Sequence, residues 1–300
     1  MAETLANPVS TAPEQPAQHT PMVSIGMPVY NGENYIREAL DSLLAQTFTD
    51  FELIISDNAS TDGTQAICEA YAANDARIKY IRQSENLGAG KNFEYVLEHS
   101  CGKYFMWAAH DDMWAINWLE ALINQIRPDD FSLRGSIRYM RNGKIIIERF
   151  PQNYKKNDYI RCFMAAETTM NARNFYIYGL FVRSKLMQLD RSILLYSYSP
   201  DFIFSYKMLQ EGCLRTIADT YQIYRLHTQN GGTKLIENSL SLARLIYRVH
   251  PLSYYCKYIS ISPAQIKPII FMLSPIKHIY NQMHLWVRGF KKIFLKLENI

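Results

Sequence analysis

Between Met22 and Ile126 the chain alternates short, mainly apolar runs with segments of helical periodicity, and no other feature restricts its fold as much. Val23–Val29 reads as a buried strand, and Asn31-Gly32 as the turn after it. Glu33–Gln46 follows, with Ile36, Leu40, Leu43 and Leu44 on one helical face. A second strand, Phe51–Ser56, ends at Asp57. A polar loop, Asn58–Gly63, leads into a helix over Thr64–Ala73. Ile78–Arg82 is a third strand and Asn92–Glu98 a helix. Tyr104–Ala108 is a fourth strand that ends at His110-Asp111-Asp112, and Ile116–Ile126 is helical. Strands that are mainly apolar call for cover on both faces. The pattern therefore predicts an α/β domain with a mostly parallel sheet flanked by helices, joined by right-handed crossovers.

The second half is less regular. Ser136–Tyr139 and Lys144–Arg149 flank Met140-Arg141-Asn142-Gly143, a hairpin pattern. Phe175–Arg183 and Tyr221–Leu226 read as strands, and Phe202–Gln210 as a helix stopped by Gly212. Residues 1–21 carry Pro8, Pro13, Pro16 and Pro21 with no apolar run. They are expected to form a flexible leader rather than a signal peptide or anchor. No unbroken apolar stretch is long enough for a membrane span. The five cysteines (Cys68, Cys101, Cys162, Cys213 and Cys256) are scattered, which argues against a zinc cluster or disulfide framework and fits a reducing cytoplasm. The net charge of +4 is too small to point to nucleic acid, but its distribution is uneven. Residues 234–300 hold ten Lys/Arg against two acids, whereas residues 1–233 have a slight acidic excess.

In open parallel sheets, ligands bind beyond the carboxyl ends of the strands. Three polar groups fall there: Pro28-Val29-Tyr30-Asn31, Asp57, and Asp111-Asp112. A single Asp after a strand is as readily a helix cap. Neighbouring carboxylates repel, however, and a divalent cation shared with a diphosphate removes that cost. Oxygen ligands of this type suit Mn2+ or Mg2+. No G-x-G-x-x-G follows the first strand, and no P-loop or G-x-S-x-G elbow is present. Lys91, in Asn86–Asn92, is placed to approach a phosphate, although an ordinary loop-to-helix junction explains that segment equally well. Asp201, at the start of a helix, is either a dipole-favoured terminal acid or a proton acceptor. Strand alternation puts Arg225 and His227 on one side, where both can face a diphosphate. An isolated His is more often structural.

Several stretches, taken in order, resemble family 2 glycosyltransferases of the GT-A fold, a Rossmann-like α/β architecture. They are Val23–Asn31, Gln46–Asp57, Asn58–Thr64, Asn86-Leu87-Gly88, Asn92, Gly102-Lys103-Tyr104 and His110-Asp111-Asp112. The likeness is strong over 22–126. It continues weakly through Tyr178–Phe181, Asp201 and Tyr224-Arg225-Leu226-His227, and ends near 235. It implies a donor half over about 22–126, an acceptor half over about 127–234 and a helical extension over 235–300. It also implies inverting transfer of a sugar from a nucleotide diphosphate donor, commonly a UDP-sugar, to a hydroxyl. By position, Pro28, Tyr30 and Asp57 would hold the nucleoside. Asp111 would meet the ribose or the metal, and Asp112 would bind the metal. Arg225 and His227 would contact the diphosphate, with His227 a further metal ligand, and Asp201 would be the general base. The chain departs from the family where many members have Asp-x-Asp-Asp, reading Ala109-His110-Asp111-Asp112 instead. Asn58 and Pro200 are further departures, standing where many members have acids. Asp190 and Glu167 are the alternative bases.

From Ile276 onward, apolar residues at helical spacing face away from Lys277, Arg288, Lys291 and Lys292. Such a helix suits either an anionic membrane surface or packing on the body or on a second subunit. The resulting expectation is a cytoplasmic, peripherally attached enzyme that glycosylates a glycan or lipid-linked acceptor in surface polysaccharide synthesis. A metal-dependent nucleotidyltransferase and a non-catalytic sugar-nucleotide binder are the alternatives.

Overall fold

The computed structural model describes residues 19–165, 176–190, 192, 200–227 and 259–275; for 164–165 and 200–202 it describes the backbone. The expected leader up to residue 18, Glu167, the basic helix from Ile276 and most of the expected extension lie outside these residues.

The elements up to residue 126 follow the apolar runs. They are β1 (Val23–Val29), α1 (Ile36–Leu44), β2 (Phe51–Asp57), α2 (Thr64–Asn74), β3 (Ile78–Arg82), α3 (Ala89–Glu98), β4 (Tyr104–Trp107), a short β5 (Met113–Trp114) and α4 (Trp118–Gln125). Every residue of β1 and β2 is buried, as the covered parallel sheet requires. α1 buries Ile36, Ala39, Leu40 and Leu43 at helical spacing. β3, β2, β1 and β4 lie side by side and parallel.

The second half adds β6 (Asp130–Arg141), β7 (Lys144–Arg149), α5 (Tyr159–Ala165), β8 (Leu180–Val182), α6 (Arg183–Gln188), α7 (Pro200–Met208) and β9 (Cys213–Arg225). The sheet becomes mixed here, in the order β3-β2-β1-β4-β8-β6-β9-β5, with β7 also on β6. β8 is antiparallel to both β4 and β6, whereas β6 and β9 run parallel. The hairpin turns through Asn142 (φ 51°) and Gly143 (φ 74°), the two positive angles a tight turn of this hand needs.

Three expectations change. Phe175–Arg183 is not one strand. Tyr176–Tyr178 is a single 3-10 turn, Leu180–Val182 alone is strand, and Arg183 opens α6. The Gly179 amide bonds back to Tyr176 O at 3.0 Å and the Tyr176 hydroxyl turns inward to Gln152 O at 2.6 Å, which closes the turn. β6 starts at Asp130 rather than Ser136, and β9 at Cys213 rather than Tyr221. Both carry buried polar residues: Arg134 and Ser136 on β6 bond across to Gln222 and Thr220 on β9, and Ser132 bonds to Tyr176 O.

A bulge interrupts the β6–β9 ladder between Arg134 and Ser136. A Cβ at Gly135 would strike Thr220 O, so only glycine permits this approach. Trp107 of β4 meets Phe105, Phe181 and Phe204 edge-on, with ring centroids 4.8, 5.5 and 6.0 Å away, and so ties α7 to the end of the parallel sheet. Residues 267–275 are helical, and Ile270 from them is fully buried in this same core. Nearby, the Tyr206 hydroxyl and Ser262 Oγ are 2.6 Å apart, and Gln210 donates to Ile261 O at 2.9 Å. Among the described residues no helix is long and apolar enough to cross a membrane.

Candidate active site

β2, β1 and β4 are adjacent and parallel, so Asp57, Tyr30 and the Asp111-Asp112 turn emerge along one sheet edge. The loops there are stitched together. Asn31 N–H donates to Ser60 Oγ (2.9 Å), Gly32 N–H to Thr64 Oγ1 (2.8 Å) and Glu33 N–H to Asp62 Oδ2 (3.1 Å). In return, Thr61 N–H donates to Asn31 Oδ1 (2.8 Å) and Gly63 N–H to Glu33 Oε2 (2.7 Å). The loop after β1 is thereby held against the loop after β2 before any ligand arrives. Pro28 is buried inside β1 opposite Ser56, whereas Tyr30 is exposed.

Asp57 is fully buried. It accepts from Ser60 N–H (2.8 Å), the Tyr80 hydroxyl (2.9 Å) and Arg82 Nη1 (3.3 Å). Tyr80 and Arg82 were not singled out from sequence, although their alternate places on β3, paired beside β2, were available as a signal. Asn58 Nδ2 donates to Asn86 Oδ1 (2.8 Å), and its Oδ1 accepts from Leu87 N–H (2.8 Å), which fixes the approach to α3. Lys91 is exposed on the first turn of α3.

The two neighbouring acids have different surroundings. His227 Nε2 lies 3.0 Å from Asp111 Oδ2, and these two side chains keep 11% and 16% of their surface accessible. Burial raises the Asp111 carboxyl, but the His227 bond and the nearby His110 and His227 outweigh it and hold the acid below its ordinary value. Asp112 is 1% exposed. Its Oδ2 accepts from Gln222 Nε2 (2.7 Å) and its Oδ1 from Arg225 N–H (3.1 Å). Burial, then the Asp111 charge, push its carboxyl well above the usual range. His110 packs against the first loop, since a Cβ on Gly32 would lie 2.8 Å from its ring. Burial lowers its proton affinity.

β9 delivers Arg225 and, just past its end, His227 to this turn. Arg225 Nε donates to Asp111 O (3.0 Å) and Nη2 pairs with Glu38 Oε2 (2.7 Å). Tyr35, at the start of α1, lies under both groups, with the Arg225 guanidinium 4.8 Å and the His227 ring 4.4 Å from its centroid. Tyr35, Glu38, Gln222 and Arg134 were not singled out from sequence. Only Tyr35, an aromatic just before the first apolar helix position, carried a readable signal.

Asp201 is the second residue of α7. Asp190 follows α6 and is bound by Lys207 Nζ (2.8 Å) and Ser192 N–H (3.1 Å), chiefly the former holding its carboxyl down at about 2. Among the described residues no group of three or more His, Cys, Asp or Glu side chains could hold a metal ion.

Comparison with known proteins gives a consistent picture. An uncharacterized glycosyltransferase of Rickettsia typhi is 42% identical over 106 residues, 35% of this chain and 32% of the relative. One from Haemophilus influenzae is 28% identical over 273 residues, 87% of this chain and 82% of the relative. TuaG of Bacillus subtilis, a glycosyltransferase provisionally assigned to teichuronic acid biosynthesis, is 38% identical over 100 residues, 33% of this chain and 40% of the relative. The chain thus spans about a third or less of the length of the Rickettsia relatives it matches. S. aureus TarS in complex with UDP superposes with a TM-score of 0.55 at 19% identity, covering 86% of this chain and 88% of that one. The mannosyltransferase PcManGT from Pyrobaculum calidifontis, in complex with GDP-Man and Mn2+, gives 0.57 at 18%, covering 89% and 73%. These likenesses show that the fold is GT-A. The family model for glycosyl transferase family 2 matches residues 24–199, more than half of the sequence, and the chain belongs to that family.

Proposed function

We propose that the protein is an inverting glycosyltransferase that moves a sugar from a nucleoside diphosphate donor, a UDP-sugar, to a hydroxyl of a glycan or lipid-linked acceptor. One observation carries this reading. Asp57, Tyr30 and Asp111 emerge along one edge of the parallel sheet, and β9 brings Arg225 and His227 onto Asp111. Family membership supports it, as do the UDP and GDP-Man complexes of the two structural neighbours.

In this reading the stitched loops after β1 and β2 hold the nucleoside, with exposed Tyr30 on its base and ribose side and buried Pro28 and Asp57 bracing the floor beneath it. Arg225 meets the diphosphate. A divalent cation fits the donor set, because Asp111 and His227 offer one carboxylate and one imidazole side by side. Both Asp112 oxygens are already engaged in the interior, so Asp112 supports the turn rather than completing the shell. Asp111 and His227 would hold Mn2+ or Mg2+ beside the diphosphate, and the ion would supply positive charge against the departing diphosphate. Asp201, presented at the N-terminal end of α7, takes the proton of the acceptor hydroxyl. The acceptor oxygen bonds to the anomeric carbon as the bond to the diphosphate breaks on the opposite face. The nucleoside diphosphate leaves with the electron pair. Asp190 is a poor alternative base, since Lys207 already depresses its proton affinity.

Residues 22–126 form the donor half and 127–234 the acceptor half of this scheme, and 235–300 form the extension. The likeness to TuaG supports a place in surface polysaccharide synthesis. The basic tail supports attachment to an anionic cytoplasmic membrane face. The test is product analysis with UDP-sugars and Mn2+. Released UDP, together with a glycoside of inverted anomeric configuration by NMR, is the expected outcome. Released pyrophosphate, or no turnover with any nucleotide sugar, overturns the assignment.

A further inference from the structure

Arg134, on β6, has no solvent exposure. Its Nη2 donates to Gln222 Oε1 at 2.9 Å and its Nε to Gly135 O at 3.2 Å. Among the described residues its Nη1 has no hydrogen-bond partner. A buried guanidinium needs an anion nearby. Arg134 has one at a single remove, because Gln222 Nε2 donates to Asp112 Oδ2 at 2.7 Å. The other Asp112 oxygen accepts from the Arg225 backbone. The result is an ordered chain, Arg134 to Gln222 to Asp112 to Arg225, running under the residues that face the diphosphate.

The chemistry of the middle position is restrictive. The side chain must accept from a cation on one side and donate to a carboxylate on the other. An amide does both without adding charge, its oxygen accepting and its nitrogen donating. Gln222 is also fixed by the backbone, paired with Ile137 of β6 and Trp114 of β5.

We propose that Gln222 is a positioning residue for the diphosphate end of the site. Its amide couples buried Arg134 to buried Asp112 and thereby locks the turn carrying Asp111 to the strand end carrying Arg225 and His227. The proposal rests on the glycosyltransferase reading for the identity of the ligand, but not for the existence of the bridge.

The test exchanges the two side chains. Gln222→Glu puts two carboxylates where an amide met a carboxylate. Adding Asp112→Asn reverses the polarity and restores every bond: Arg134 donates to Glu, Asn donates to Glu, and Arg225 N–H donates to Asn. Thermal melting of the four proteins without ligand reads the bridge. UDP binding with Mn2+, by calorimetry, reads its consequence. The expected result is a lower Tm and about tenfold or more weaker UDP binding in Q222E. Both should recover in D112N/Q222E, binding to within about threefold of wild type. If Q222E does not fold, the double variant decides alone: near-wild-type UDP binding upholds the proposal and lost binding overturns it. Additive losses in Tm, with no recovery, overturn the bridge. Recovery of Tm without recovery of UDP binding overturns the positioning role. A wild-type protein that shows the Tm coupling but binds no UDP refutes the glycosyltransferase reading, and the positioning claim with it, while the bridge stands.

Discussion

Asp111 and His227 lie 116 positions apart in the chain, yet their side chains meet at 3.0 Å, between the turn after β4 and the end of β9. Asp112, the very next residue, points the other way into the protein and is held by Gln222 and Arg225. Adjacent carboxylates thus have opposite environments, set by which face of the turn each leaves.

Asp111→Asn and His227→Gln should each weaken Mn2+-dependent UDP binding by about 10–100-fold, with little effect on metal-free binding. Calorimetry with and without the metal checks this. Equal affinities for wild type and both variants would remove these residues from the site.

Asp201→Asn should lower kcat by about 10²–10⁴-fold and leave donor affinity near wild type, as expected for a lost proton acceptor. Steady-state rates combined with UDP titration separate the two effects. A variant with unchanged kcat would require another base.

Glu52 sits at the opposite, N-terminal edge of the sheet. Burial pushes its carboxyl up, but Lys79 (2.6 Å), Ser24 and Cys101 outweigh burial and hold it below its ordinary value. A depressed carboxylate contributes stability above its unfolded pKa and loses it as pH falls through the folded value. Glu52→Gln should therefore lower stability by about 1–3 kcal/mol at neutral pH. That difference should close below about pH 4. Melting curves from pH 3 to 8 give the result, and a gap independent of pH would contradict it.

Gly135→Ala drives a methyl group toward Thr220 O and Trp118 at the bulge. The expected loss is about 1–3 kcal/mol, seen as a lower denaturant midpoint. Because the bulge aims Arg134 inward, UDP affinity should fall as well.

Much of the parallel half is legible in the sequence because β1, β2 and β4 are mainly apolar runs with polar residues at their ends. In Val23–Val29 and Phe51–Asp57 only Ser24 and Glu52 break the run before its end. β6 and β9 are not legible in the same way. Arg134, Ser136 and Gln222 resemble exposed positions, and their burial depends on a partner strand about 80 residues away that satisfies them. The same reason hides part of the site. Asp57, Asp111, Arg225 and His227 announce themselves as polar residues at strand ends. Gln222 lies inside a strand, and Glu38 lies on a helix face whose neighbour is set only by the fold.

Ile270 bears on where the chain is to be cut. Residues 259–275 plug the aromatic core beside α7 through Ile270, Ser262 and Ile261, so a deletion starting at 235 would uncap that core and confound loss of membrane contact with loss of folding. Ending the protein at Pro275 instead spares the plug and removes Lys277, Arg288, Lys291, Lys292 and Lys296. Flotation with anionic liposomes at low salt should then carry up the full chain and leave the shortened one behind, with equal flotation of both speaking against a lipid-seeking tail.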